Sequence, residues 1–299
     1  MTVSPARPAP AHPPRPASVR PAPTHRLVVD DLTDTALAAT LLAGGAAVAH
    51  GFGNIYAITA RGDATGVLRV NALKGRPAEQ VGSITLPPDR LLSAFDTTAL
   101  PDELSPGLVR RVVDAFARVG PVGFRGPAAS HVPAHLTRVE HGVTTTQVIV
   151  PGRACPSNRF LTLASAAVGP VPLVITSANR SRHLTGEPEE PAHWRASGLR
   201  ADFAGVHGLV VLEHADERAA RHRYPYHQPM STSILGLHRV TVVDGVVHLP
   251  LERHGSLDVG RVRWTLASLG LGVTVEPSAA TRLTARTYPS QPRGTDLRP

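Results

Sequence analysis

Short apolar runs closed by glycine or proline, alternating with stretches of helical period, most constrain how this chain folds. Residues 46–50, 172–176 and 209–212 are apolar runs too short for core helices, and together with Ser-Ile-Thr-Leu at 83–86 and Thr-Thr-Thr-Gln-Val-Ile-Val at 144–150 they read as strands. Residues 36–42 predict a helix capped by Thr33 or Asp34 and ended by Gly44-Gly45. Further helices are predicted behind Ser105-Pro106, at 160–168 with Ser157 or Asn158 as cap, and over 257–269. Residues 240–243 and 246–249 flank Asp244-Gly245, a two-residue turn that demands antiparallel pairing. Alternation with at least one hairpin predicts an α/β body around a twisted, mixed sheet with flanking helices.

The 299 residues suit one large domain or two small ones. Aromatics make up 4% of the chain, so Val, Leu, Ala and Ile must build its core. Residues 1–25, rich in Pro, Ala and Arg, predict a disordered arm, and 276–299 a disordered tail, leaving 27–273 as a single folded domain. The segment 180–207 breaks the alternation and is a candidate lid. No apolar run reaches about 18 residues, and nothing before Leu27 resembles a secretory h-region, so no membrane partner is expected. Cys155 is the one cysteine, which excludes an internal disulfide and suits a reducing, cytoplasmic setting. A net charge of +8 admits a polyanion partner: nucleotide, RNA or acidic protein.

Lys74 is the sole lysine among 31 basic side chains. It follows a strand-like run, and Arg76 would share its face of an extended segment, a cation pair suited to triphosphate or carboxylate. Three more segments put polar groups at strand ends, where α/β folds build sites. They are Ser177-Ala178-Asn179, Met230-Ser231-Thr232-Ser233 and Arg253-His254-Gly255. Taken singly, each has an ordinary reading as a turn, a β-prone stretch or a basic loop.

In this order and spacing the segments resemble the YrdC-like family, the threonylcarbamoyl-adenylate synthases. Its pattern runs Lys-x-Arg-Pro, a Gly-Pro strand, Ser-Ala-Asn, Ser-Thr, Arg-x-Gly. Here the matches are Lys74/Arg76/Pro77, Gly120-Pro121, Ser177-Ala178-Asn179, Ser231-Thr232 and Arg253/Gly255, across residues 34–270. The resemblance implies a deep, positive central cavity. It implies that threonine, bicarbonate and ATP, with Mg²⁺, give threonylcarbamoyl-AMP and pyrophosphate for tRNA modification. Lys74 and Arg76 would be catalytic. Together with Ser177, Asn179, Ser231, Thr232 and Arg253 they would grip the phosphates, while Asn54 and Tyr56 would shape the substrate pocket.

The chain departs from the pattern in places. The usual Pro-Thr-Asp/Glu-Thr-x-Tyr becomes Gly51-Phe52-Gly53-Asn54-Ile55-Tyr56. Gly123 replaces a threonine, and Ile149 stands where an arginine is expected, with Arg153 two residues beyond Pro151. Three outcomes fit: an enzyme using another amine or carbamate, a catalytically weak or inactive nucleotide-binding paralogue, or a binder of double-stranded RNA. No metal set is assigned, because His131/His135 and His222/His227 lack a third ligand at fixed spacing.

Overall fold

The computed structural model describes residues 26–181 and 191–288. The predicted arm, residues 182–190 of the candidate lid and the last eleven residues of the predicted tail lie outside the described residues. Among the described residues thirteen strands form one mixed sheet. They are β1 (Leu27–Val28), β2 (Ala47–Phe52), β3 (Ile55–Arg61), β4 (Ser83–Thr85), β5 (Val122–Pro127), β6 (Arg138–Glu140) and β7 (Val143–Val150). Then come β8 (Leu173–Ser177), β9 (Leu209–Glu213), β10 (Ile234–Gly236), β11 (Thr241–Val243), β12 (Val246–Arg253) and β13 (Gly272–Val275). The order is β1-β9-β2-β3-β8-β4-β7-β5-β10-β12-β11, with β6 beside β7 and β13 beside β12. Hairpins β2–β3 and β11–β12 are antiparallel, whereas β1–β9, β2–β9, β4–β7 and β5–β10 are parallel.

Helices α1 (Leu32–Ala43), α2 (Ala64–Lys74), α3 (Pro106–Val119), α4 (Ser157–Val168), α5 (Ala196–Asp202), α6 (Glu217–His222) and α7 (Val259–Ala267) flank the sheet. The first cap is Asp31 rather than Thr33 or Asp34; its carboxylate accepts from the Thr33 and Asp34 N–H groups. Residues 51–57, whose Gly51 and Gly53 read in sequence as a Gly-rich loop after the 46–50 strand, are mostly the β2–β3 hairpin, in which His50 pairs with Ala57 and Phe52 with Ile55. Residues 64–74 are helical throughout, although a short strand was expected before Lys74. Asp63 caps this helix, and Gly75 in the left-handed region (φ 68°) ends it, a conformation that costs glycine nothing.

Side-chain alternation splits the strands between two cores. Tyr56, Ile58, Ile84, Phe124, Val148 and Val174 face α2, α3 and α7. Ala57, Ile149, Ile175 and Ile234 face the other way, toward α1 and α4. Beyond the reach of those two helices the second face becomes polar, and a cavity opens there.

The predicted tail is built into the domain as far as residue 288. Its boundary at 273 was set by composition, which does not register backbone hydrogen bonding. Leu283 N–H donates to the His254 carbonyl (2.9 Å) and Arg286 N–H to that of Pro229 (3.1 Å). The Arg286 guanidinium reaches the Pro191 carbonyl at 2.6 Å, and the Tyr288 hydroxyl meets the His193 ring.

Candidate active site

A cavity of about 570 Å³ lies on the second face of the sheet. Alternation supplies its lining: Ser83 from β4, Arg125 from β5, Thr145, Gln147 and Ile149 from β7, and Ile175 and Ser177 from β8. Five arginines and three glutamates line it.

One rim gathers the four segments. Lys74 is fully buried, and its ammonium donates to the Ser177 carbonyl and to Asn179 Oδ1 at 3.2 Å. Ser177 Oγ donates to Asn179 Oδ1 (2.5 Å), and Ser231 Oγ donates to Ser177 Oγ (3.2 Å). Arg253 clasps Thr232 through the carbonyl (2.8 Å) and the hydroxyl (3.2 Å). Ser177, Ser231, Thr232, Arg253 and Arg76 reach the cavity lining; Lys74 and Asn179 stand behind it. The expectation of Lys74 and Arg76 side by side on an extended segment is therefore corrected. Lys74 ends a helix that turns its ammonium inward, and Gly75 separates it from Arg76.

Asn54 and Tyr56 do not enter the cavity, a second correction. In β3 the odd residues Ile55 and Ala57 face the cavity, so Tyr56 faces the opposite core. Its hydroxyl donates to Glu217 (2.9 Å) and accepts from the His214 N–H (3.1 Å). Burial and the neighbouring Glu217 carboxylate both raise its pKa. Asn54, in the hairpin turn, donates to the His227 carbonyl at 3.1 Å.

The opposite wall was not foreseen. Arg125, 6% exposed, donates to Glu252 (2.7 Å) and to Gln147 Oε1 (2.6 Å), and it pairs with Glu140 at 3.0 Å. Gln147 donates onward to Ser83 Oγ (2.6 Å). Burial raises the Glu252 carboxyl, with Arg125 opposing it. The signal available was a single arginine closing an otherwise apolar strand.

Ile149 lines the cavity where an arginine was expected, and Arg153 does not replace it, being paired with Asp114 at 2.6 Å outside. A side chain at Gly123 would start 2.1 Å from Ile234 and 2.7 Å from Ile149. Glycine there is what lets the two isoleucines close an apolar floor. Of the histidine pairs, His135 bonds the Gly62 carbonyl (2.8 Å) and His227 that of Pro121 (3.1 Å). Cys155 is buried, which pushes its thiol up and away from reactivity.

No protein-family profile matches the chain, and no curated protein does. Solved structures do. A double variant of P. abyssi Sua5 superposes with a TM-score of 0.60 at 19% identity, over 85% of this chain and 65% of that one. P. abyssi Sua5 complexed with L-threonine gives 0.58 at 19% identity, over 82% of this chain and 60% of that one. A hypothetical protein from Streptococcus mutans UA159 gives 0.53 at 13% identity, over 79% of this chain and 92% of that one. The chain thus spans less than two thirds of the length of the Sua5 chains. No helix among the described residues is long and apolar enough to cross a membrane. In fold the chain is of the Sua5 type, the YrdC-like α/β architecture that the ordered motifs imply.

Proposed function

We propose that the chain binds ATP in this cavity and uses it to activate an amino-acid carbamate as its adenylate, with threonine as the first amino acid to consider. The observation that carries this reading is the convergence of Ser177, Asn179, Ser231, Thr232 and Arg253 on one rim, braced from behind by Lys74. A fold shared with a protein crystallised with L-threonine supports the choice of amino acid.

The chemistry asks little of the protein beyond placement and charge. Amine and bicarbonate combine to a carbamate with loss of water. A carbamate oxygen then attacks the α-phosphorus of MgATP, and pyrophosphate leaves in line. No protein nucleophile is needed. Arg76 and Arg253, both on the lining, would offset charge on the departing pyrophosphate. The hydroxyls of Ser177, Ser231 and Thr232 would orient phosphate oxygens, and Lys74 would act as a positioning residue that holds the Ser-Ala-Asn turn. The adenylate would serve modification of a tRNA adenosine.

A specific observation favours a second reading. The isoleucine floor around Gly123, and the turning away of Asn54 and Tyr56, remove polar groups expected around the amino acid. A site that loses its buried partners for a substrate can lose orders of magnitude in discrimination. On this reading the chain is an inactive paralogue that binds nucleotide or double-stranded RNA.

Incubation with MgATP, bicarbonate and threonine, then with other amino acids, separates the two. The first reading expects pyrophosphate release matched by an aminoacyl-carbamoyl-AMP mass. ATP raising the melting temperature with no adduct from any amine would select the second reading. Salt-sensitive binding of duplex RNA without an ATP effect would select its RNA form.

A further inference from the structure

We infer that Glu140, His238 and Glu252 form a site for a divalent transition metal on the cavity wall opposite the phosphate rim. They come from β6, from the segment after β10 and from β12. One donor atom from each lies within 4.8 Å of the others. Carboxylates alone would say little. The second observation is His238, whose side chain is 0% exposed and whose two ring nitrogens have no hydrogen-bond partner among the described residues. A buried polar group without a partner costs about 1–3 kcal/mol, so such a ring calls for a ligand. Glu252 Oε1 is likewise buried and accepts no hydrogen bond among the described residues. It lies 3.6 Å from His238 Nδ1. Two ligands at about 2.1 Å in a tetrahedral site stand about 3.4 Å apart, so this pair is spaced for one cation.

Arg125 supports the arrangement. It holds Glu252 by Oε2 (2.7 Å) and Glu140 by Oε2 (3.0 Å), leaving Glu252 Oε1 turned to the histidine. Outer partners of this kind orient metal-binding carboxylates. Arg138 caps the other oxygen of Glu140, which retains lone pairs for a metal. One imidazole with two carboxylates suits Zn²⁺ or Mn²⁺ better than the all-oxygen shells of Mg²⁺ and Ca²⁺. Glu140 and Glu252 line the cavity, so remaining coordination positions would face whatever occupies it. The site is independent of the nucleotide reading.

The test uses the untagged full chain, stripped with chelator and free of nucleotide, titrated calorimetrically with Zn²⁺ and separately with Mn²⁺. One saturable equivalent is expected for at least one of them. Glu252→Gln, which still accepts from Arg125, and His238→Ala should each weaken it at least tenfold. Changing the exposed-loop pair His131→Ala with His135→Ala should leave it intact. Absence of a saturable site, or an affinity that ignores both wall variants, overturns the inference. Where a wall variant does not fold, Co²⁺ decides on the wild-type chain. A four- or five-coordinate visible spectrum bleached by one equivalent of Zn²⁺ supports the site, and the hexaaqua spectrum overturns it. The melting shift with ATP in metal-free buffer reads the nucleotide site separately, so either idea can fail alone.

Discussion

The two sides of the cavity are built by different rules. The rim is made of short segments whose polar groups bond to neighbouring backbone: Lys74 to the Ser177 carbonyl, Arg253 to the Thr232 carbonyl. The wall is made of charged side chains that reach across strands, Arg125 to Glu252 and Glu140, and Gln147 to Ser83. A rim fixed through backbone keeps its shape when single side chains change. A wall held by buried ion pairs depends on every member being present, because removing one partner strands the other's charge.

Acid should break both sides together, with the largest effect. Burial pushes His50 down to about 3, and His214 and His227 to about 4, so all three rings are neutral at pH 7. Folded values below the ordinary 6.5 mean that the unfolded chain binds more protons between about pH 4 and 6.5. Stability is therefore full above that window and falls as pH falls through it, by about 5 kcal/mol in total at pH 5. Urea titrations at pH 7 and pH 5 measure this, and an unchanged midpoint would contradict the burial of these rings.

Single substitutions then separate the sides. Lys74→Ala removes a buried ammonium, its packing and its two hydrogen bonds to the Ser177 carbonyl and Asn179 Oδ1, at a cost of roughly 4 kcal/mol and about 10 °C in melting temperature. Arg125→Leu strands the buried Glu252, while Glu140 keeps Arg138, at a cost of about 3 kcal/mol. The bonds described above for Lys74 and for Arg125 share no residue, so the double variant should show the sum within about 0.5 kcal/mol. A larger coupling energy would mean that rim and wall are one network. The smallest structural effect belongs to Arg76→Ala, at the cavity mouth. It should shift stability by less than about 0.5 kcal/mol while weakening ATP roughly tenfold by calorimetry.

The same contrast governs what was legible in the sequence. Ser177, Asn179, Ser231, Thr232 and Arg253 stand at the ends of apolar runs, so each is visible within a few residues of chain. Arg125, Glu140 and Glu252 lie on different strands and meet only because β6, β7, β5, β10 and β12 assemble side by side. Strand parity, which decides that Ile55 rather than Tyr56 faces the cavity, depends on where the hairpin turns. The strand β2 was expected to end before Gly51, and the error carried through to the pocket assignment. Lys74 was placed after a strand because Gly66 and Asn71 dilute the helical pattern of its segment. Gly66 is required where it is, since a Cβ there would lie 2.0 Å from the Arg61 carbonyl oxygen.

The segment from Glu276 to Tyr288 sets the timing of the cavity's completion. Glu276 and Ser278 are part of the lining, and Arg286 and Tyr288 fasten the segment to Pro191 and His193. Chains are made from the N-terminus at about 5–20 residues per second, and the exit tunnel hides the newest stretch. During synthesis the sheet can assemble while the cavity still lacks part of its wall. A nascent chain can thus fold its sheet before it has a finished pocket, and a ligand that needs residues 276–288 meets its site only after they have left the ribosome.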